Sequence, residues 1–197
     1  MSLELEKTKN VITYLAENVS NLYFTKLLKL LYYFDFISVL ERGEPATGDT
    51  YYHLPLGPVP TFIKDQLTLL KADVKQAEDS CIQDSGINSG ESIFSGYVSL
   101  QEEVGVGFKV IKQRNPDMSQ ISEYEKGLLD NIISDLGTKT AKELVTQTHA
   151  EPPYAQTTMR SIIDYKLAFY LNRDLILPSR KSFSFNVEVS QAEYFSR

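Results

Sequence analysis

The stretch Lys26-Leu27-Leu28-Lys29-Leu30-Leu31-Tyr32-Tyr33-Phe34-Asp35-Phe36-Ile37-Ser38-Val39-Leu40 leaves almost no polar face when wound at helical spacing. It predicts a helix over 23–42. A helix apolar on most sides belongs at the centre of a soluble domain. Gly43 suits the left-handed position after a helix, and Pro45 bars continuation. Lys26 and Lys29 lie three apart and share one face. They read either as the solvated edge of a buried helix or as contacts for an acidic partner. Asp35, set among Tyr32, Tyr33, Phe34 and Phe36, needs a hydrogen-bond or charge partner, and a structural polar contact is expected.

Working outward, residues 4–18 carry Val11, Ile12 and Leu15 at helical spacing, with Val19 just beyond, and predict an amphipathic helix. After Gly43, Thr50-Tyr51-Tyr52-His53-Leu54 is rich in strand formers. Residues 56–60 read as a turn feeding a helix, whose apolar face is Val59, Phe62, Ile63, Leu67 and Leu70. The polar stretch 73–92 reads as a surface excursion. Residues 93–98 and 104–111 predict two strands joined through Gln101-Glu102-Glu103, a small antiparallel hairpin. Ser122 with Glu125, then Thr140 with Glu143, have capping-box spacing and start two further helices. Glu151-Pro152-Pro153 ends the second of these. A last helix is expected over 158–172, with Ile162, Ile163, Leu167, Tyr170 and Leu171 as its apolar set. In the tail, Phe183, Phe185, Val187 and Val189 alternate with polar residues, as in a strand of this fold or a partner-docking edge. The predicted class is α+β, mainly α: a compact helical domain around a central buried helix with a small antiparallel hairpin or sheet. One domain spans 1–177, with a tail over 178–197.

The chain has 197 residues, 26 acidic and 20 basic side chains, and a formal net charge of −6. That balance argues against a nucleic-acid binder, because phosphate contact favours clustered Lys and Arg. No apolar run approaches the roughly 18 residues that a membrane span needs, and no signal peptide is visible at the N-terminus. The single cysteine, Cys81, cannot form an internal disulfide and fits a reducing, cytoplasmic setting.

Catalytic candidates are sparse. His53 follows strand formers; it reads as a general base or, given its isolation, as a partly buried ring bonded to backbone. His149 stands at a helix C-terminus two residues before Glu151. A metal site there lacks further local ligands, and a cap or packing role is the simpler reading, an imidazolium being favourable at that helix end. The Gly105-Val106-Gly107 pair lacks the third glycine of a dinucleotide loop. Cys81 sits near Asp79 and Asp84, which disfavour a thiolate. No catalytic set, cofactor site or metal site emerges.

Three motif blocks carry a resemblance. Lys26-Leu27-Leu28-Lys29-Leu30-Leu31-Tyr32-Tyr33-Phe34-Asp35 is the first, and Gly48-Asp49-Thr50-Tyr51 with Leu56-Gly57-Pro58-Val59-Pro60 is the second. Ser122 to Gly137, Thr140-Ala141-Lys142-Glu143-Leu144 and Thr148-His149-Ala150-Glu151-Pro152 form the third. Their order and spacing resemble the Panacea-domain family, also described as SocA-like antitoxins or GepA-type phage-associated proteins. Leu56, Ile121 and Tyr154 stand where that family often has Tyr, Phe and Trp. The resemblance implies a bacterial or phage antitoxin, not an enzyme, that neutralises a toxin encoded next door by direct contact. The net charge suits a basic toxin. The runner-up is an adaptor delivering the toxin to a cytosolic protease. The outsider is a metal-dependent hydrolase built on His53, His149 and Glu151. Candidate partner-binding or family-motif residues are Lys26, Lys29, Tyr33, Asp35, Asp49, Tyr51, Gly57, Pro58, His149, Glu151 and Tyr154.

Overall fold

The computed structural model describes residues 4–78 and 91–180, with backbone alone for 72–78. Cys81 and the alternating residues 183–189 lie outside the described residues. The class is α+β and mainly α, as expected. The centre is α2, Phe24–Arg42, in which every side chain at positions 26–39 is buried. Its end follows the expected chemistry: Gly43 adopts φ 78°, and its N–H bonds to the Val39 carbonyl.

α1, Leu5–Asn18, lays Val11, Ile12 and Leu15 onto one continuous core shared with α2. β1, Tyr51–Leu54, pairs antiparallel with β2, Gly57–Pro60, through a two-residue turn. Residues 57–60 are therefore a strand, not the first turn of a helix, and Leu56 belongs to the turn before it. Pro58 and Pro60 cannot donate to a ladder, so β2 is an edge strand, and it packs against α2 instead. α3 starts one residue later, Thr61–Glu78, and its helical backbone runs into the stretch read as a polar excursion.

The hairpin is β3, Val98–Glu103, with β4, Gly107–Lys112. Its turn is not at 101–103, which lie within β3, but at Val104-Gly105-Val106. The Val106 N–H bonds to the Glu103 carbonyl, and Gly105 takes φ 79°, which only glycine adopts without strain. Residues 93–97 are turns rather than strand, and they bury Phe94 completely.

Both capping boxes form as predicted. Ser122 opens α4, Glu123–Leu136, and Thr140 opens α5, Ala141–His149. Pro152 and Pro153 end α5 and occupy the first turn of a short α6, Pro152–Ala155.

The helix expected over 158–172 does not exist. Residues 160–163 run beside β1 instead: the His53 N–H bonds to the Ser161 carbonyl, the Arg160 N–H to the His53 carbonyl, and the Ile163 N–H to the Tyr51 carbonyl. Those bonds claim the backbone groups that a helix would use. Ile163 is buried while Ile162, 57% exposed, faces out, the alternation of a strand. A 3-10 turn at Tyr165–Tyr170 and the one-turn α7, Arg173–Ile176, complete the described chain.

Candidate functional site

α2 gathers the three motif blocks. Lys29 is fully buried, and its ammonium nitrogen donates to the Pro58 carbonyl at 2.6 Å. Lys26, 4% exposed, donates to the carbonyls of Gly137 at 2.6 Å and Ser20 at 3.2 Å. Neither lysine is a solvated edge or a free contact for an acidic partner; both tie α2 to distant backbone. Burial lowers both amines, that of Lys29 to about 7. Gly57 makes room for Lys29. A Cβ there would lie 2.9 Å from Thr148 Oγ1 and 3.0 Å from Lys29 Nζ, and the backbone has φ 100°.

Both histidines, 96 positions apart in sequence, meet on the ring of Tyr154. His53 stacks at 3.6 Å between centroids and His149 at 4.3 Å, with its ring 3° from parallel. Two rings cannot share one face at such distances, so the tyrosine lies between them. The Tyr154 hydroxyl donates to the Leu54 carbonyl at 3.0 Å and fixes the stack to β1. His53 Nδ1 and His149 Nε2 are buried with no hydrogen-bond partner among the described residues. His53 is thus held by stacking, not by the backbone bond expected of it. His149 closes α5 and packs on the Tyr154 ring; burial, then Lys29 and His53 nearby, lower its pKa, which disfavours an imidazolium at that helix end.

Glu151 lies in the interior beside this stack. Its carboxylate accepts from the Tyr33 hydroxyl at 2.8 Å and the Tyr32 hydroxyl at 3.1 Å. Burial raises it to about 7, against the hydrogen bonds that favour its charge. The two tyrosines rise well above their ordinary range, through burial first and the facing carboxylate second. Asp35 has the partners its surroundings demanded: the Thr47 N–H at 2.6 Å, the Thr47 hydroxyl at 2.5 Å and the Tyr51 hydroxyl at 2.8 Å. Burial still lifts it to about 6. Asp49 reaches across to α3, accepting from the N–H groups of Phe62 at 3.2 Å and Ile63 at 2.8 Å. Burial raises its pKa as well.

The structure therefore brings Lys29, Gly57, Pro58, His53, His149 and Tyr154 to one end of α2's buried face, with Glu151 and Tyr33 adjoining them. Asp35, Asp49 and Tyr51 form a second polar cluster. Lys26 stands apart at the α2 N-terminus. Sequence reading did not single out Tyr32, Thr148 or Gln147, whose side chain lies near enough to Tyr33 and Glu151 to lower the pKa of both. Tyr32 sits in an apolar run and carries no signal of its own. Among the described residues, no three His, Cys, Asp or Glu side chains are grouped to hold a metal ion. No described helix is long and apolar enough to cross a membrane.

A family model described as antitoxin SocA-like, Panacea domain, matches residues 27–154. That match runs from α2 to the tyrosine of the stack and takes in the three motif blocks except Lys26, which stands one residue before it. A curated relative, the mitochondrial GTPase Era of Salmo salar, is 29% identical over 125 residues, 60% of this chain. The chain spans 27% of that relative's length. The present sequence has no G-x-x-x-x-G-K-S/T phosphate loop. No solved structure matches. With well over half of its length matched, the chain belongs to the SocA-like antitoxin, Panacea domain family.

Proposed function

We propose that this protein is an antitoxin that neutralises a cognate toxin, encoded beside it, by direct protein contact in the cytoplasm. The observation that carries the reading is the family match over 27–154. The site geometry supports it: Lys26, Lys29, Asp35, Asp49 and Glu151 are buried, and their bonds hold α2, β2, α3 and α6 together. These polar motif residues build a scaffold, and the partner is left to meet what the scaffold presents. Stable masking of a toxin needs an interface of about 1,600 Å² in total. The net charge of −6 speeds capture of a basic toxin.

The test is co-expression of the neighbouring open reading frame with and without this protein. Growth arrest by the neighbour alone, relieved by this protein, is the expected result. A harmless neighbour, or arrest that persists, overturns the reading. Relief that vanishes in cells lacking their ATP-dependent proteases would replace masking with delivery to a protease.

A further inference from the structure

A groove of about 690 Å³ opens between the N-terminal ends of α2 and α5, against β4. Phe24, Phe108 and Ile133 give it apolar walls. Lys26, Lys139 and Lys142 also line it, and no aspartate or glutamate does, although acidic residues outnumber basic ones by 26 to 20. Six lysines elsewhere behave differently. Lys7, Lys9, Lys64, Lys109, Lys112 and Lys126 each have a carboxylate within ion-pair distance. Among the described residues, Lys26, Lys139 and Lys142 have none. Lys26 and Lys139 donate to neutral oxygens, Lys139 to Gln147 at 2.6 Å. The nearby Glu143 is turned into the α5 cap, where it accepts from the Thr140 N–H at 2.7 Å. The α2 N-terminus has no side-chain cap, so the positive end of a 19-residue helix adds to the same field. Lys71 lies over the rings of Phe24, at 3.6 Å, and Phe108, at 4.8 Å, and places another ammonium beside the apolar wall.

We propose that this groove is a docking site for an acidic peptide segment of a partner protein. Carboxylates of the segment would meet Lys139, Lys142 and the open end of α2, and an apolar side chain would seat against Phe24, Phe108 and Ile133. The proposal rests on the reading that the domain works by binding a protein, and it names the chemistry of the bound segment. It is compatible with a partner that is basic overall: net charge steers approach over a Debye length, whereas the groove selects at contact. A peptide fits better than a nucleic acid. No arginine lines the groove, and the aromatic walls already carry an ammonium rather than offering a clear platform for bases.

The experiment uses the full chain and three fluorescein-labelled probes of equal length: a Glu/Leu peptide, a Lys/Leu peptide and a single-stranded oligothymidylate. Fluorescence anisotropy is read for the wild type, for the Lys139→Glu/Lys142→Glu pair, and for Thr138→Trp, which fills the groove. Lys64→Glu/Lys126→Glu is the charge control away from it. Circular dichroism melting confirms that each variant folds. The expected result is saturable binding of the Glu/Leu peptide only, weakened about tenfold or more by reversal at 139 and 142 and by Thr138→Trp, and little changed in the control. The proposal is overturned by no binding, by equal binding of the Lys/Leu peptide, by tighter binding of the oligothymidylate, or by indifference to the groove variants. The co-expression assay separates the two readings. If wild type and the 139/142 variant relieve arrest equally, the antitoxin reading stands and the groove proposal fails. If wild type gives no relief but the groove variants still lose the acidic peptide, the groove proposal stands alone.

Discussion

Lys29 sends an ammonium into an interior that offers it the Pro58 carbonyl and no carboxylate at ion-pair distance among the described residues. Burial holds its pKa at about 7, against 10.5 for the ordinary amine. Between those values the unfolded chain binds the proton and the folded chain does not. Stability therefore rises with pH across that window, by up to roughly 1.4 kcal/mol per pH unit. Urea unfolding of the wild type is expected to show that rise from pH 7 to 9, and Lys29→Met should flatten it. An unchanged slope in the variant refutes the assignment. Glu151 acts with the opposite sign. Its folded pKa, about 7, exceeds the ordinary 4.5, so its stabilising contribution is full below 4.5 and is lost as pH rises through 7. Glu151→Gln keeps an acceptor for one tyrosine hydroxyl and carries no charge. It should stabilise the fold by about 1–3 kcal/mol at pH 8 relative to its effect at pH 5. Asp35 was legible as a residue needing partners, because a carboxylate among aromatics has nowhere to hide. The two lysines were not. An i, i+3 lysine pair looks the same whether it edges solvent or bonds to carbonyls 29 and 111 positions away.

At the scale of elements, three helices begin by two different routes. α4 and α5 carry their caps in local sequence, so their starts could be read from four residues each. Ser122→Ala and Thr140→Ala should each lower stability by about 1 kcal/mol, measured from urea midpoints. α3 follows Pro60 and takes its cap from Asp49, 13 and 14 positions upstream of the N–H groups it satisfies. No local pattern announces such a cap, which is why the start of α3 blurred into β2. Asp49→Ala leaves the buried Ile63 N–H and the part-buried Phe62 N–H without their acceptor and is expected to cost about 2–3 kcal/mol, clearly more than either local cap. Loss no greater than that of Ser122→Ala would mean that water serves α3 equally well. The same limit explains 158–172. Its apolar spacing is compatible with a helix, but β1 supplies hydrogen bonds at the right edge, and tertiary pairing prevails over local periodicity.

For the whole molecule, the central helix and its burial could be read from one stretch, because no other placement hides so much apolar surface. The closure of the chain upon that helix could not. It depends on Glu41 near the α2 C-terminus, whose side chain is 8% exposed. Arg180 meets it with two nitrogens, at 2.7 and 2.6 Å, Arg173 at 3.3 Å, and the Tyr124 hydroxyl at 2.7 Å. The Arg180 guanidinium also lies 5.2 Å from the Tyr124 ring. Side chains from α4, from α7 and from the segment after it thus converge on one α2 carboxylate, with partners up to 139 positions distant, and of them only Tyr124 falls within a motif block, where its spacing gives no sign of this contact. The arginines and the tyrosine hold the Glu41 pKa below its ordinary value despite burial. Arg180→Ala removes the bidentate partner and leaves a mostly buried carboxylate with weaker ones. A loss of about 2–4 kcal/mol is expected. Glu41→Gln should cost less in carboxylate desolvation but should equally release the arginines. Amide hydrogen exchange gives the decisive readout. If Glu41 is the closure point, both variants should raise exchange across 165–180 while leaving α1 and the capped start of α4 protected. Exchange that rises uniformly would instead make the cluster one contributor to a single cooperative unit.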